Sequence, residues 1–469
     1  MSVLLIECPK GYDEERSYVF NVIFTDFLGI PYECRQMTGS ETKIRLLGSL
    51  GEEVICWPDV LFQTSKEKWC TVSSLPHTPL PTWNVAQDLP EAKVVKSVLP
   101  VIYGEPLDDQ RWFEHSGQEI RLGLDIAGSI FFMLTRYEEL VLSDRDEHGR
   151  FPAKASLAYR ENFLDRPIVD EYVEILWACI KRLWPNLERK KQMYWVWLSH
   201  DVDEPLAIVG RPWHKVFRSV MGDLIKRQSI DLAIQRLVAR ATGNYERDPY
   251  NTFAFIMDLS ERYGLKSTFF FKAGCTNPRF DANYSIDNPW VQKLMRTIHE
   301  RGHEIGLHPS YESYNRYEVM RAEYRKLVQS VEQLGIFQEQ WGSRQHFLRW
   351  ENPITWQILD EVGLDYDATL GFADHVGFRC GTCREFPVFN LRTRQTLRLR
   401  ERPLIAMDTT LLSHRYMKLQ AEEVLEQIRA LSTTCRDYSG IFSLLWHNTS
   451  LAQSVQKKLF LNIMEIISF

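Results

Sequence analysis

Apolar and polar positions change their rhythm along this chain. From about residue 193 onward, short apolar runs recur between longer stretches of helical periodicity. The runs predict strands within MYWVWLSHDVDEP (193–205), at STFFFKA (267–273), at HEIGLH (303–308), around 366–370 and at GIFSLLWHN (440–448). Between them, the spacing predicts helices near 214–241, 250–263, 288–302, 317–334, 352–362 and 418–431. Short strands alternating with longer helices predict a parallel α/β architecture, either an open sheet or a barrel.

The first part of the chain reads differently. YVFNVIFTDFLG and KVVKSVLPVIYG are β-like runs, and prolines at 76, 79, 81 and 90 make 73–92 a loop. Helical patterns follow from Ile126 to Glu139 and from Asp165 to about Leu183. These features predict an N-terminal α+β domain over 1–185 and a second domain over 186–469.

A 469-residue chain with 44% hydrophobic and 25% charged residues can bury a large core. Its formal net charge of -6 points to no nucleic-acid or membrane-surface partner. The longest apolar stretch, Ile126 to Leu134, is too short for a transmembrane segment. Nine scattered cysteines form no disulfide framework, and MSVLLIECPKGYDEE lacks the basic start of a signal peptide, so a cytoplasmic setting is expected. Cys380-Gly-Thr-Cys383 lacks the context of a redox or zinc motif and reads as ordinary cysteines. The alternation LRLRE (397–401) reads as a charged edge strand.

Candidate chemistry gathers where the apolar runs stop: His200, Asp201 and Asp203; His308; Asp374 with His375; and His447. In an α/β barrel such strand ends converge on one mouth. A metal explains two carboxylates there, one as ligand and the other taking a proton from water; the alternative is a capped helix or turn that satisfies them with backbone groups. His303 lies an odd number of residues from His308 and faces the other side of the strand. The chain has no G-x-S-x-G elbow for a nucleophilic serine.

The series Ser199-His-Asp-Val-Asp-Glu-Pro205, Ser267-Thr-Phe-Phe-Phe271, Gly302-His-Glu-Ile-Gly-Leu-His-Pro-Ser310, Arg344-Gln-His-Phe347 and Leu444-Leu-Trp-His447 resembles the polysaccharide deacetylase family, the NodB-homology or carbohydrate esterase 4 group. The resemblance covers roughly 193–455. It implies a distorted (β/α)7 barrel of NodB-homology type and metal-dependent removal of an N-acyl group, typically N-acetyl, from a sugar or glycoconjugate. Under it Asp201 is the base, Asp203 and His308 are metal ligands, and Glu312 stands where the family carries a further histidine ligand. His346, where the family usually has proline, is the rival third ligand. The implied cofactor is a divalent metal, Zn²⁺ first, with Mn²⁺ or Co²⁺ as alternatives. Arg344 would orient Asp201, Asp374 would be a further polar partner, and His447 would be the general acid.

DIAGSIFFMLTRYEE (125–139) and HGRF (148–151) resemble the N-terminal extension of a large-protein branch of this group. The extension is expected to pack against the barrel and close its mouth, with Arg136, Tyr137 and Glu138 near substrate or in helix-surface salt bridges. Two other classes stay open. One is a barrel glycosidase pairing Asp201 with Glu312 or Asp374; the other is a carbohydrate-binding protein without activity.

Overall fold

The computed structural model describes residues 2–49, 51–208, 213–225, 229–281 and 284–468. Its larger sheet has nine strands in the order Phe386–Asn390, Gln395–Glu401, Tyr366–Asp367, Gly342–Ser343, Glu304–Leu307, Ser267–Phe271, Trp195–Val202, Ile441–Leu445 and Ala406–Met407. Every neighbouring pair is parallel except the first. The chain between Glu401 and Ala406 bridges the two ends of the parallel run. The N–H groups of Arg402 and Leu404 donate to the carbonyls of Asp367 (2.8 Å) and Leu370 (3.1 Å), and that of Ile405 donates to Ser443 (3.2 Å). The sheet therefore curls on itself, and the carboxyl ends of its parallel strands face a common mouth.

The strands are short apolar runs because they are buried on both faces. Trp197, Phe270, Tyr366, Ala368 and Ile441 form a cluster of their own within the curl. Two glycines make room for its rings. A Cβ on Gly342 would lie 2.0 Å from the Tyr366 ring, and one on Gly306, in the HEIGLH run, 2.4 Å from Phe270. Gln395–Glu401 has neighbours on both sides, so LRLRE is not an edge strand. Arg400 and Arg402 instead share Glu385 at 2.7 and 2.8 Å. Cys380 and Cys383 are buried free thiols. The pattern expected over 214–241 divides into helices Trp213–Ile225 and Ile230–Thr242.

The N-terminal region carries a six-stranded mixed sheet in the order Tyr32–Met37, Leu4–Pro9, Glu41–Leu46, Val54–Pro58, Glu119–Leu122 and Phe113–Ser116. Helices Ile126–Leu134 and Ile168–Leu183 belong to the same region. YVFNVIFTDFLG is helical, contrary to its β-like appearance: Asp13–Phe20 is an α-helix that continues as a π-helix over Asn21–Leu28. Beyond the first turn its exposed positions, Ser17, Asn21 and Thr25, recur every four residues, a helical period that the almost unbroken apolar run hides. Asp13, Glu14 and Glu15 suit the positive N-terminal end, and Gly29 ends the segment at φ 66°. In the Pro-rich stretch, Thr82–Asn84 pairs with Val98–Pro100, so that part is not loop throughout. Among the described residues, no helix is long and apolar enough to cross a membrane.

The helix expected to reach Glu139 stops at Leu134, and a short one restarts at Tyr137; Arg136 lies between them at φ 51°. Arg136, Glu138 and Glu139 are buried, not on a helix surface. Arg136 contacts Glu138 at 2.8 Å and Glu139 at 2.9 Å, and Glu139 also holds Arg379 of the larger sheet region at 2.6 Å. Arg384 similarly reaches Asp170 at 2.6 Å. Burial pushes the Glu139 carboxyl up, but Arg379 and Arg136 outweigh it and hold it below its usual range.

Removing one partner from such a buried network leaves uncompensated charge, at a cost of about 3–5 kcal/mol. Glu139→Ala should lose stability on that scale in denaturant unfolding. Glu147→Ala, which breaks an exposed contact with Arg415, should change it by less than about 1 kcal/mol. Equal effects of the two substitutions would contradict the role given to Glu139.

Candidate functional site

Asp201 and Asp203 lie at the carboxyl end of Trp195–Val202, in the middle of the parallel run. They are two residues apart, so an extended chain sends both to the same side. They line a cavity of about 150 Å³ with Arg150, His308, His346, Phe347, Leu348, Met407, Thr409, Tyr416 and His447. His200 points the other way. Its Nδ1 lies 2.6 Å from the Trp446 carbonyl and its Nε2 3.3 Å from Ser267 Oγ, with the ring stacked on Phe269.

His308 follows Glu304–Leu307, and its N–H continues the ladder to the Phe271 carbonyl at 2.8 Å. The Arg344 carbonyl lies 2.6 Å from its Nδ1, which turns Nε2 toward the acids, 3.3 Å from Asp203 Oδ1 and 4.0 Å from Asp201 Oδ2. Burial lowers the His308 pKa despite both acids, favouring the neutral imidazole that a metal requires. His346 points Nε2 at the same Asp203 oxygen, 3.2 Å away, while Asp281 meets its Nδ1 at 2.9 Å. Left-handed backbone at Phe347 and Leu348, φ 61° and 55°, turns the chain sharply behind it.

Among the described residues, Asp203, His308 and His346 form a candidate metal centre, each offering one ligand atom, all within 4.8 Å of one another. One carboxylate oxygen and two imidazole nitrogens are a donor set found at catalytic metal sites with an open position. The buried Asp203 Oδ1 has ion-pair contacts but no hydrogen bond, and each histidine is braced from behind at Nδ1. These features fit a divalent cation. Burial pushes the Asp203 carboxyl up; Lys272, His346 and His308 outweigh it and hold the group well below its usual range.

Glu312 is not part of this centre. Residues 309–316 form turns, and helix Tyr317–Gln333 begins only later, so four residues do not bring the chain back to the same side. Glu312 instead contacts Arg349 at 3.5 Å and accepts from Asn277 at 3.5 Å. Asp374 also lies away from the cleft lining, where it accepts the Ala153 N–H at 3.1 Å. The partner of His447 is Asp408, buried at the end of Ala406–Met407. Its Oδ1 lies 2.7 Å from His447 Nδ1, and its Oδ2 accepts the His447 N–H at 3.0 Å and the Ser450 hydroxyl at 2.5 Å. Asp408 ends an apolar run, the same signal that marks Asp201 and His308. Lys272 likewise ends the apolar run of Ser267–Phe271, whereas Asp281 bears no comparable signal.

His447 Nε2 lies 3.6 Å from Asp203 Oδ2. Burial pulls the His447 pKa down, but Asp408 outweighs it, with Asp203 and Asp201 adding, and raises it to about 10. Arg344, fully buried, donates to Ser199 Oγ at 2.7 Å and to Asp201 Oδ1 at 3.4 Å. Its guanidinium packs against the adjacent rings of Trp197 and Phe270, 5.3 and 5.0 Å from their centres. From the N-terminal region the cleft receives Arg150, which is held by Asp146 and donates to the Phe347 carbonyl and the Tyr416 hydroxyl at 3.0 and 3.1 Å. Arg136, Tyr137 and Glu138 do not line it.

Two measurements check these placements. In metal titrations, His346→Ala should lose affinity by at least about tenfold, whereas Glu312→Gln should bind like the parent; the reverse order would return Glu312 to the centre. Burial also lowers the His200 pKa from 6.5 to about 3. The unfolded chain therefore takes up a proton that the native chain refuses, and stability present above pH 6.5 is lost as pH falls toward 3. Between pH 7 and pH 5 the parent should lose about 2 kcal/mol more unfolding free energy than His200→Gln, on the scale of 1.36 kcal/mol per pH unit. Parallel pH profiles would contradict this.

Residues 4–185 match the model of a family of unknown function (DUF7033). No curated protein matches the chain. Among solved structures, a Mycobacterium smegmatis protein assigned by name as a polysaccharide deacetylase is similar at 16% identity and TM-score 0.39, over 60% of this chain and 85% of that one. The polysaccharide deacetylase Bc1974 from Bacillus cereus is similar at 12% identity and TM-score 0.30, over 59% of this chain and 87% of that one. Agd3, described as a novel carbohydrate deacetylase, is similar at 8% identity and TM-score 0.37, over 100% of this chain and 84% of that one. At such scores these likenesses carry no functional weight, and any reading of function rests on the geometry of the cleft and on the motifs that build it.

Proposed function

We propose that this chain is a metal-dependent hydrolase that removes an N-acyl group, N-acetyl in the first instance, from a sugar or glycoconjugate. The observation that carries this reading is the convergence of Asp201, Asp203, His308, His346 and His447 on one cleft. On this reading the curled sheet is a distorted (β/α)7 barrel of NodB-homology type over 186–469, with residues 1–185 as an accessory α+β domain. The family match ending at residue 185 supports that division.

A divalent cation held by Asp203, His308 and His346, Zn²⁺ first and Mn²⁺ or Co²⁺ as alternatives, would supply Lewis acidity toward the acyl carbonyl. Asp201 would accept a proton from the attacking water at a carboxylate oxygen, with Arg344 holding its orientation. His447 would deliver a proton from Nε2 to the departing nitrogen, its ring fixed by Asp408 at Nδ1. No covalent enzyme intermediate is required. A cavity of about 150 Å³ suits an acyl group and the edge of one ring, and Phe347, Leu348 and Met407 offer it apolar walls. The glycosidase alternative paired Asp201 with Glu312 or Asp374, and both lie outside the cleft lining.

The test is metal analysis of the purified protein coupled to acetate release from a panel of N-acetylated sugars. Asp201→Asn and His447→Gln should retain metal and lose about 10²- to 10⁴-fold in kcat. Near-parental turnover in either variant would remove that residue from the chemistry. A folded parent that binds no metal would defeat the reading as a whole.

A further inference from the structure

The strand Ser267–Phe271 runs straight into Lys272, whose buried side chain enters the metal centre rather than solvent. Nζ lies 3.0 Å from Asp203 Oδ1 and 2.9 and 3.1 Å from Nε2 and Nδ1 of His346. The backbone beneath it is fixed: Tyr284 Oη accepts the Lys272 N–H at 2.8 Å and donates to the Val202 carbonyl at 2.8 Å. The strand end bearing Lys272 is thereby tied to the strand end bearing Asp203.

We infer that Lys272 is a resident cation of this centre, competing with a divalent ion for Asp203 and His346. The inference rests on the metal-site reading above and goes beyond it by naming what the incoming ion must displace. In the absence of metal, Asp201 and Asp203 place two carboxylates at one buried strand end, and the Lys272 ammonium neutralises the second while holding His346 beside it. A divalent ion bound to Asp203 Oδ1 would lie within a few ångströms of that ammonium and repel it. Asp281 offers the displaced group a second partner. Its Oδ1 is 4.0 Å from Nζ and already holds His346 Nδ1, so a short swing keeps the lysine paired. Lys272 thus tunes metal affinity downward and keeps the donors assembled while the metal is away.

The experiment compares parent and Lys272→Met at one pH and ionic strength. Zn²⁺ affinity is measured by calorimetry with a competing chelator, and thermal unfolding is followed in chelator and in saturating Zn²⁺. The variant should bind Zn²⁺ at least about tenfold more tightly than the parent. Its unfolding midpoint should fall below the parent's in chelator, and the gap should close in saturating Zn²⁺. A variant that folds only with Zn²⁺ present supports the same conclusion, and Lys272→Gln then supplies the affinity comparison. Equal or weaker Zn²⁺ binding in a folded variant overturns the inference while leaving the metal centre intact. Absence of Zn²⁺ binding in both proteins overturns the inference and the metal reading together.

Discussion

Two carboxylates two residues apart, at the end of one buried strand, set the terms for everything around them. Asp201 and Asp203 face the same cleft and repel each other, and leaving both charged in a poorly hydrated place is costly without compensation. The surrounding structure supplies that compensation in separate pieces. Arg344 serves Asp201; Lys272, His308 and His346 surround Asp203; His447, charged through Asp408, approaches from the other side. The pieces come from four strand ends, those of Ser267–Phe271, Glu304–Leu307, Gly342–Ser343 (which supplies both Arg344 and His346) and Ile441–Leu445, so curling the parallel sheet is what brings the compensating groups together.

The arrangement also separates roles between two chemically identical side chains. Asp201 is buried against a guanidinium that packs on two aromatic rings. Asp203 stands among nitrogen donors braced by Asp281 and by the Arg344 carbonyl. One environment suits an oriented proton acceptor, and the other suits a ligand. The N-terminal region takes part through the loop at 146–150. His148 packs on Tyr311 and Phe347 there, the His148 carbonyl accepts from Arg349, and Arg150 reaches the cleft wall. Buried pairs such as Glu139 with Arg379 keep that loop in register with the sheet.

Much of this was legible in the chain itself, for a physical reason. A buried parallel strand is a short apolar run, and a polar residue at its end has to face the mouth or be paired, so Asp201, Asp203, His308 and His447 stood out. The third ligand was harder. The resemblance put Glu312 there, four residues after His308, but the segment after His308 forms turns and does not bring Glu312 back to the centre. His346 depends on a sharp turn at Phe347 and Leu348, for which the sequence carries no glycine signal. Asp408 was not singled out, although like Asp374 it follows apolar residues, because pairing order round the sheet cannot be read from local pattern. The 18–29 segment misled through its composition, since an apolar run that is buried nearly all round hides its helical period.

The central claim is that Asp203, His308 and His346 hold one divalent ion. Anomalous diffraction at the zinc edge, from crystals grown with Zn²⁺, tests it without reference to any substrate. The account predicts a single strong peak in the cleft, about 2.0–2.2 Å from one oxygen of Asp203 and one nitrogen of each histidine. A peak coordinated by Glu312, or an empty cleft in crystals bathed in the metal, would contradict it.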